Sequence, residues 1–147
     1  MEPVLAIFHY LMIFATVALL LGEFILLRLE ASGPGLKLLG SVDLMYGVFA
    51  LLVVTSGLLR VFFGDVPTEK WASNHAFWTK MGIFLVIGVL SVFPSLRYQG
   101  WRKAFAVDGA LPDSASRKKA SLFVHLQLGL FVFMPVMAVL MAEAAEK

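Results

Sequence analysis

His9 and Glu23 stand inside one apolar run, HYLMIFATVALLLGEFILLR (9–28). An ionisable group in the middle of a bilayer costs about 2.5–3.5 kcal/mol on insertion scales. Such side chains therefore face a protein interior and mark proton relays, ion paths or cofactor sites. His9, Thr16 and Glu23 are spaced by seven residues, and each heptad step drifts only about 20° around a helix, so all three share one face. At a rise of 1.5 Å per residue, His9 and Glu23 are about 21 Å apart. They cannot ligate one centre; they mark two ends of one inward stripe.

Three further apolar segments carry polar groups of the same kind. The second holds Asp43, Tyr46, Gly47, Ala50, Val54 and Gly57 at helical spacing, an acid followed by small residues that permit close approach of a neighbouring helix or a flat ligand. The third has His75 and Lys80 near its start, then Ser91 and Pro94. The fourth has His125 near its start and Pro135 near its middle, where a proline predicts a kink. An up-and-down arrangement sorts these into two clusters. An outer one contains His9, His75 and Lys80, with Arg60 close by. An inner one contains Glu23, Arg28, Asp43, Arg97 and His125, in which Glu23 and Asp43 are expected to stay ionised against Arg28 and Arg97.

Neutral imidazole is a common iron ligand, and a four-helix membrane bundle suits a planar porphyrin wedged between helices. On that reading His9 and His75 are the axial metal ligands of a b-type haem, Lys80 and Arg60 balance its propionates, and the inner cluster fixes the other end or relays protons. The protein then serves electron transfer or tetrapyrrole oxidation, with a quinone or redox protein as partner, and no residue is identified as catalytic. A second reading makes the same stripe, from Glu23 through Thr16 to His9, the path of a proton, ion or small-molecule transporter. A third is a structural membrane subunit. Each residue also has a plain role: His75 and His125 as interfacial hydrogen bonders, Lys80 snorkelling to headgroups, the inner charges as a helix clamp, and the phenylalanines and methionines as packing. Cysteine is absent, and so are the HExxH, Walker, GxGxxG and GxSxG patterns. Three scattered histidines make no zinc site.

The elements that position these residues follow from composition. At 147 residues, 60% hydrophobic and 15% charged, with mean hydropathy +0.87, the chain is too apolar for a soluble domain. It divides into four spans, about 4–27, 42–63, 76–96 and 121–141, the last helix starting near 115, each close to the roughly 20 residues that cross a bilayer. The fold expected is an all-α, integral membrane four-helix bundle forming a single domain over 1–147. The first span lacks the basic start of a cleaved signal peptide. Arg28, Lys37, Arg97, Arg102, Lys103, Arg117, Lys118 and Lys119 fall on one side; Arg60, Lys70, Lys80 and Lys147 on the other. The positive-inside rule then places both termini on the non-cytoplasmic side of a bacterial inner membrane. The pI of about 9.0 reflects this topology and anionic lipid rather than nucleic acid.

ASGPGLK (31–37) reads as a turn and FGDVPTEKWASN (63–74) as a polar loop, with Ser73 or Asn74 capping the third helix. YQGWRKAFAVDGALPDSASRKK (98–119) reads as one long connection, its aromatic and basic residues lying at the headgroups, with Asp113 or Ser114 capping the fourth helix. Trp71 and Trp78 are expected in one aromatic belt, Tyr98 and Trp101 in the other. Four short helices bury limited surface, which favours a homo-oligomer, although no GxxxG seam marks the interface.

The chain resembles a bacterial family of small membrane proteins of unknown function, through GEFILLR (22–28), VDLMYGVFALLVVTSGLLRVFFG (42–64), FWTKMG (77–82) and PSLRY (94–98). More distantly it is similar to the small four-helix protoporphyrinogen IX oxidases, which are haem-associated. The shared features are His9 in the first helix, Arg28 after it, Trp78 and Lys80 at the start of the third, and the basic WRKAFA (101–106). That resemblance implies a haem-binding oxidoreductase. FVHLQLG (123–129) stands where that family has an Asn-Glu pair, and FILLR (24–28) where it has Tyr-Leu-Pro-Arg.

Overall fold

The computed structural model describes residues 2–146. Met1 and Lys147, the second of which entered the charge count, lie outside the described residues. Five helices follow one another: α1 (Glu2–Arg28), α2 (Gly33–Phe63), α3 (Thr68–Ala72), α4 (His75–Asp108) and α5 (Ser114–Glu146). No strand occurs among the described residues. α1, α2, α4 and α5 are each long and apolar enough to cross a membrane. In a bilayer core no water is present to satisfy peptide groups, so a helix that bonds its own backbone is the solution such sequences adopt.

The exterior is as apolar as the interior. Phe14 (72% exposed), Leu51 (68%), Leu85 (68%) and Val132 (69%), one from each long helix, point outward. A surface of this kind is covered by lipid. The four long helices form a closed ring in the order α1, α2, α4, α5, each packed on the two beside it. Neighbours run antiparallel: Glu2 meets Arg60, His9 meets Ser56 and Gly22 meets Val42, so residue numbers rise on α1 as they fall on α2. Short connections make antiparallel neighbours the natural outcome.

Two expectations about the connections are corrected. The Gly-Pro-Gly of 31–37 does not form a separate turn; it is the first turn of α2. Ser32 has an extended backbone and its Oγ accepts from the Gly35 amide at 3.1 Å. Pro34 then occupies a first-turn position, where its missing N–H has no partner to lose. The segment 98–119 is likewise not one long connection at the headgroups. α4 runs unbroken to Asp108 and stops at Gly109, whose φ of 70° is the left-handed conformation that suits glycine. At 34 residues, α4 is about 50 Å long, well beyond a hydrocarbon core of about 30 Å. Its last turns, the start of α2 and the start of α5 therefore stand clear of the membrane at one end, here called the basic end, which carries Lys37, Arg102, Lys103, Arg117, Lys118 and Lys119.

The predicted caps fall on Asn74 and Asp113. Asp113 accepts from the Ser116 amide at 2.8 Å, and the hydrogen bonds from Ser116 hold its carboxyl below the usual carboxylate range. Asn74 Oδ1 accepts from the amides of Ala76 and Phe77, and its Nδ2 donates to the Met141 carbonyl at 3.1 Å. One buried amide thus starts α4 and ties it to the end of α5. Asn74→Ala removes both functions and is expected to cost about 1–2 kcal/mol, read as a lower unfolding midpoint in mixed micelles. Asn74→Asp keeps the cap but cannot donate to the Met141 carbonyl, so it should recover only part of that loss.

Candidate functional site

The bundle interior contains two polar layers separated by an apolar one. At the end holding the termini, His9 is 4% exposed and its Nδ1 lies 2.8 Å from Ser56 Oγ. The Ser56 hydroxyl also reaches the Leu52 carbonyl at 2.7 Å. With its single hydrogen donated to Leu52, Ser56 Oγ accepts from the His9 Nδ1–H, and Nε2 is left as the lone-pair nitrogen of the ring. The imidazole lies across Gly57, where an added Cβ would come within 3.2 Å of its Cε1. Gly57→Val is therefore expected to push His9 off Ser56 at a cost of about 1–3 kcal/mol. A histidine NMR resonance that changes hydrogen-bonding state in this variant, and not in Gly82→Val, would check it; Gly82 faces open space.

At the basic end the layer is denser. Glu23 is 2% exposed, and its Oε2 accepts from the Tyr98 hydroxyl at 3.2 Å while Oε1 is buried with no partner. Tyr46 donates to Gln127 Oε1 at 2.9 Å, and Ser95 donates to Asp43 Oδ1 at 2.7 Å. Tyr98 and Glu23 join α4 to α1, and Tyr46 and Gln127 join α2 to α5. Both diagonals of the ring are thus closed by a buried hydrogen bond at this level. Asp43 is half-buried and within electrostatic reach of Glu23.

Between the two layers lie Leu20 (0% exposed), Ile87 (1%), Phe131 (7%) and Met134 (8%), all in one buried cluster. Thr16, which the stripe places midway, is fully buried but gives its hydroxyl to the Met12 carbonyl of its own helix at 2.7 Å. His9, Thr16 and Glu23 do share the inward face. The run of polar groups along it is nonetheless broken.

Several expected partners are elsewhere. The inner charges do not pair. Among the described residues the one ion pair is Arg60 with Glu2, at 2.7 Å. Arg28 lies over the Phe24 ring at 4.4 Å and Arg97 over Phe93 at 5.0 Å. Helix geometry is the reason: Arg28 is five residues past Glu23, about 140° around α1, and Arg97 is about 100° from Tyr98 on α4. Each therefore turns outward when its neighbour turns in. The same arithmetic separates His125, which is exposed beside Phe24, from Gln127, which is 1% exposed. Tyr98, expected in an aromatic belt, is 1% exposed.

In the outer group, His75 is exposed at the first residue of α4 and shares no hydrogen bond or ring contact with His9. Arg60 is engaged by Glu2 rather than standing free for a propionate. Lys80 is half-buried and within electrostatic reach of His9. No cluster of three or more potential metal ligands occurs among the described residues.

Ser56, Ser95, Tyr98, Gln127 and Glu2 are the site residues that residue type alone did not single out. The available signal was angular. Tyr98 follows the buried Pro94 by four and so shares its face of α4, and Gln127 is an amide inside an apolar run.

A ring of four long apolar helices, greasy on its outside and holding Glu23, Gln127 and His9 within, defines a small integral membrane bundle. The chain belongs to the family described as predicted membrane protein (DUF2214), which matches residues 1–144. No curated protein and no solved structure matches it.

Proposed function

We propose that this protein is a proton-handling membrane bundle in which the Glu23 carboxyl is loaded and unloaded from the basic end. One observation carries the reading. Glu23 is sealed inside a membrane-spanning helix with one oxygen unpartnered, and no Lys or Arg nitrogen lies within 4.0 Å of it among the described residues. An uncompensated charge in that setting is costly. Negative charge on Glu23 therefore requires a cation to arrive. A metal cation needs several oxygen ligands, whereas the proton needs only the carboxyl itself, with Tyr98 as its one hydrogen-bond partner among the described residues.

The surroundings supply a route. Ser95 donates to the half-buried Asp43, which lies at the level of Glu23, and the Tyr98 hydroxyl bonded to Glu23 can pass a proton because it both donates and accepts. Toward the other end the apolar layer of Leu20, Ile87 and Phe131 closes the way. The arrangement supports a bundle open to protons on one side, whose transport cycle requires that layer to part. By the positive-inside rule the accessible side is the cytoplasm, with both termini outside, in a bacterial inner membrane.

Infrared difference spectra between acid and alkaline pH test the site directly. The expected result is a carboxylic C=O band that shifts in D2O and is missing from Glu23→Gln. An unchanged spectrum in that variant overturns the assignment.

A second reading rests on His9. In the tautomer whose Nδ1–H is given to Ser56, Nε2 carries the lone pair that a metal would take. His9 would be the residue to hold a b-type haem, which would supply one-electron chemistry toward a quinone or redox protein. Lys80, within electrostatic reach of His9, would meet a haem propionate. The detergent-purified protein should then show a Soret band that His9→Ala removes. A protein that stays colourless after incubation with haemin sinks this reading and leaves the first untouched.

A further inference from the structure

A cavity of about 630 Å³ opens between the end of α1 and the first turns of α5. Its walls divide by chemistry. Arg28, Arg117 and Lys118 bring three cations to it, while Phe24, Leu27 and Leu122 form an apolar side, and no carboxylate lines it. None of the three cations has an ion-pair partner among the described residues. Arg28 rests on the Phe24 ring. Arg117 spends Nη1 on the Leu29 carbonyl, which caps the end of α1, and its Nε is buried without a hydrogen-bond partner.

A buried guanidinium N–H left unpaired costs free energy until an acceptor reaches it. Three uncompensated cations around one concavity ask for an anion with several oxygens. The position narrows the choice. The cavity sits where α1 ends and α5 leaves the membrane, and on the same two helices Ile25 (57% exposed), Leu122 (54%) and Leu126 (46%) present apolar surface. An anion that also offers hydrocarbon chains satisfies both halves. Basic pockets between transmembrane helices bind phospholipid headgroups on this basis, and the volume is in the range of small-molecule sites.

We infer that this groove is a binding site for an anionic phospholipid, its headgroup phosphate taken by Arg28, Arg117 and Lys118 and its acyl chains lying along Leu122 and Ile25. The inference is independent of the proton reading: it concerns different residues on the outside of the bundle, and Glu23 takes no part in it.

The test uses the full chain in neutral detergent, titrated in separate arms with phosphatidylglycerol, phosphatidylcholine and inorganic phosphate, with the melting temperature as readout. Two charge-matched variants are compared. Arg117→Gln/Lys118→Gln alters the groove. Arg102→Gln/Lys103→Gln removes the same charge from the end of α4, at the same end of the bundle but outside the groove. Phosphatidylglycerol is expected to raise the melting temperature of the parent and of the α4 variant alike, at least tenfold more lipid being needed for the groove variant. Phosphatidylcholine and inorganic phosphate are expected to do little. Ser121→Trp, which fills the groove and keeps every cation, should reproduce the loss, so a groove variant that folds poorly does not shield the claim. Equal lipid response in the two charge variants would reduce the effect to general surface attraction and overturn the site. An equal response to phosphatidylcholine overturns the anion, and an equal response to inorganic phosphate overturns the lipid.

Discussion

In proteoliposomes under an imposed pH gradient, Glu23→Gln is expected to lower proton entry to the level of protein-free vesicles. Glutamine has nearly the same volume as glutamate, and its amide oxygen can still accept the Tyr98 hydroxyl now bonded to Glu23 at 3.2 Å. What it lacks is an exchangeable carboxyl proton. Measured interhelical hydrogen bonds in membranes average about 0.6 kcal/mol, so even an imperfect replacement should move stability by less than about 1 kcal/mol. Folding and proton handling are thereby separated. Tyr98→Phe serves as the companion variant. It removes the hydroxyl bonded to Glu23 but leaves the Glu23 and Asp43 carboxyls, so entry should slow without vanishing. Equal flux in the parent and Glu23→Gln would show that the buried carboxyl only braces the helices.

Leu20→Ala should have the largest effect on stability, about 2–5 kcal/mol. Leu20 is fully buried in the layer between the two polar clusters. Truncating it leaves a void against Ile87 and Phe131, because a close-packed interior collapses only partly around a missing side chain. Lipid is as apolar as this core, so the lost term is packing rather than transfer from water, which favours the lower part of that range. Unfolding by SDS in mixed micelles measures it, and Leu20→Met should recover most of the loss. The same variant tests the barrier. If Leu20 helps to keep water from crossing between Glu23 and His9, Leu20→Ala should raise passive proton leak while Glu23→Gln lowers flux. A parent-like unfolding midpoint would show that the layer is not tightly packed at this point.

The contrast between Arg28 and Glu23 shows how far residue types carry an argument about a membrane helix. Reading the inner ionisable groups as one cluster balanced Glu23 and Asp43 against Arg28 and Arg97. Angular position overrules proximity along the chain, and in the fold the carboxyls find Tyr98 and Ser95 instead. The His125 and Gln127 pair repeats the lesson. Both are polar and two residues apart, so they lie on nearly opposite faces of α5, and the amide is the one that faces in.

By itself the sequence determined the number of spans, their up-and-down order and the inward face of α1. These depend on local quantities: apolar length against bilayer thickness, short connections, and the heptad spacing of His9, Thr16 and Glu23. It also placed most of the basic residues at one end. The tertiary structure alone decided which side chains meet across the ring: Tyr98 with Glu23, Tyr46 with Gln127, His9 with Ser56, and Arg60 with Glu2. It also decided that Leu20, Ile87 and Phe131 interrupt the polar stripe. Those contacts depend on the axial offset and rotation of four helices against one another. Small shifts in either exchange one partner for another, and no periodicity within a single helix encodes them.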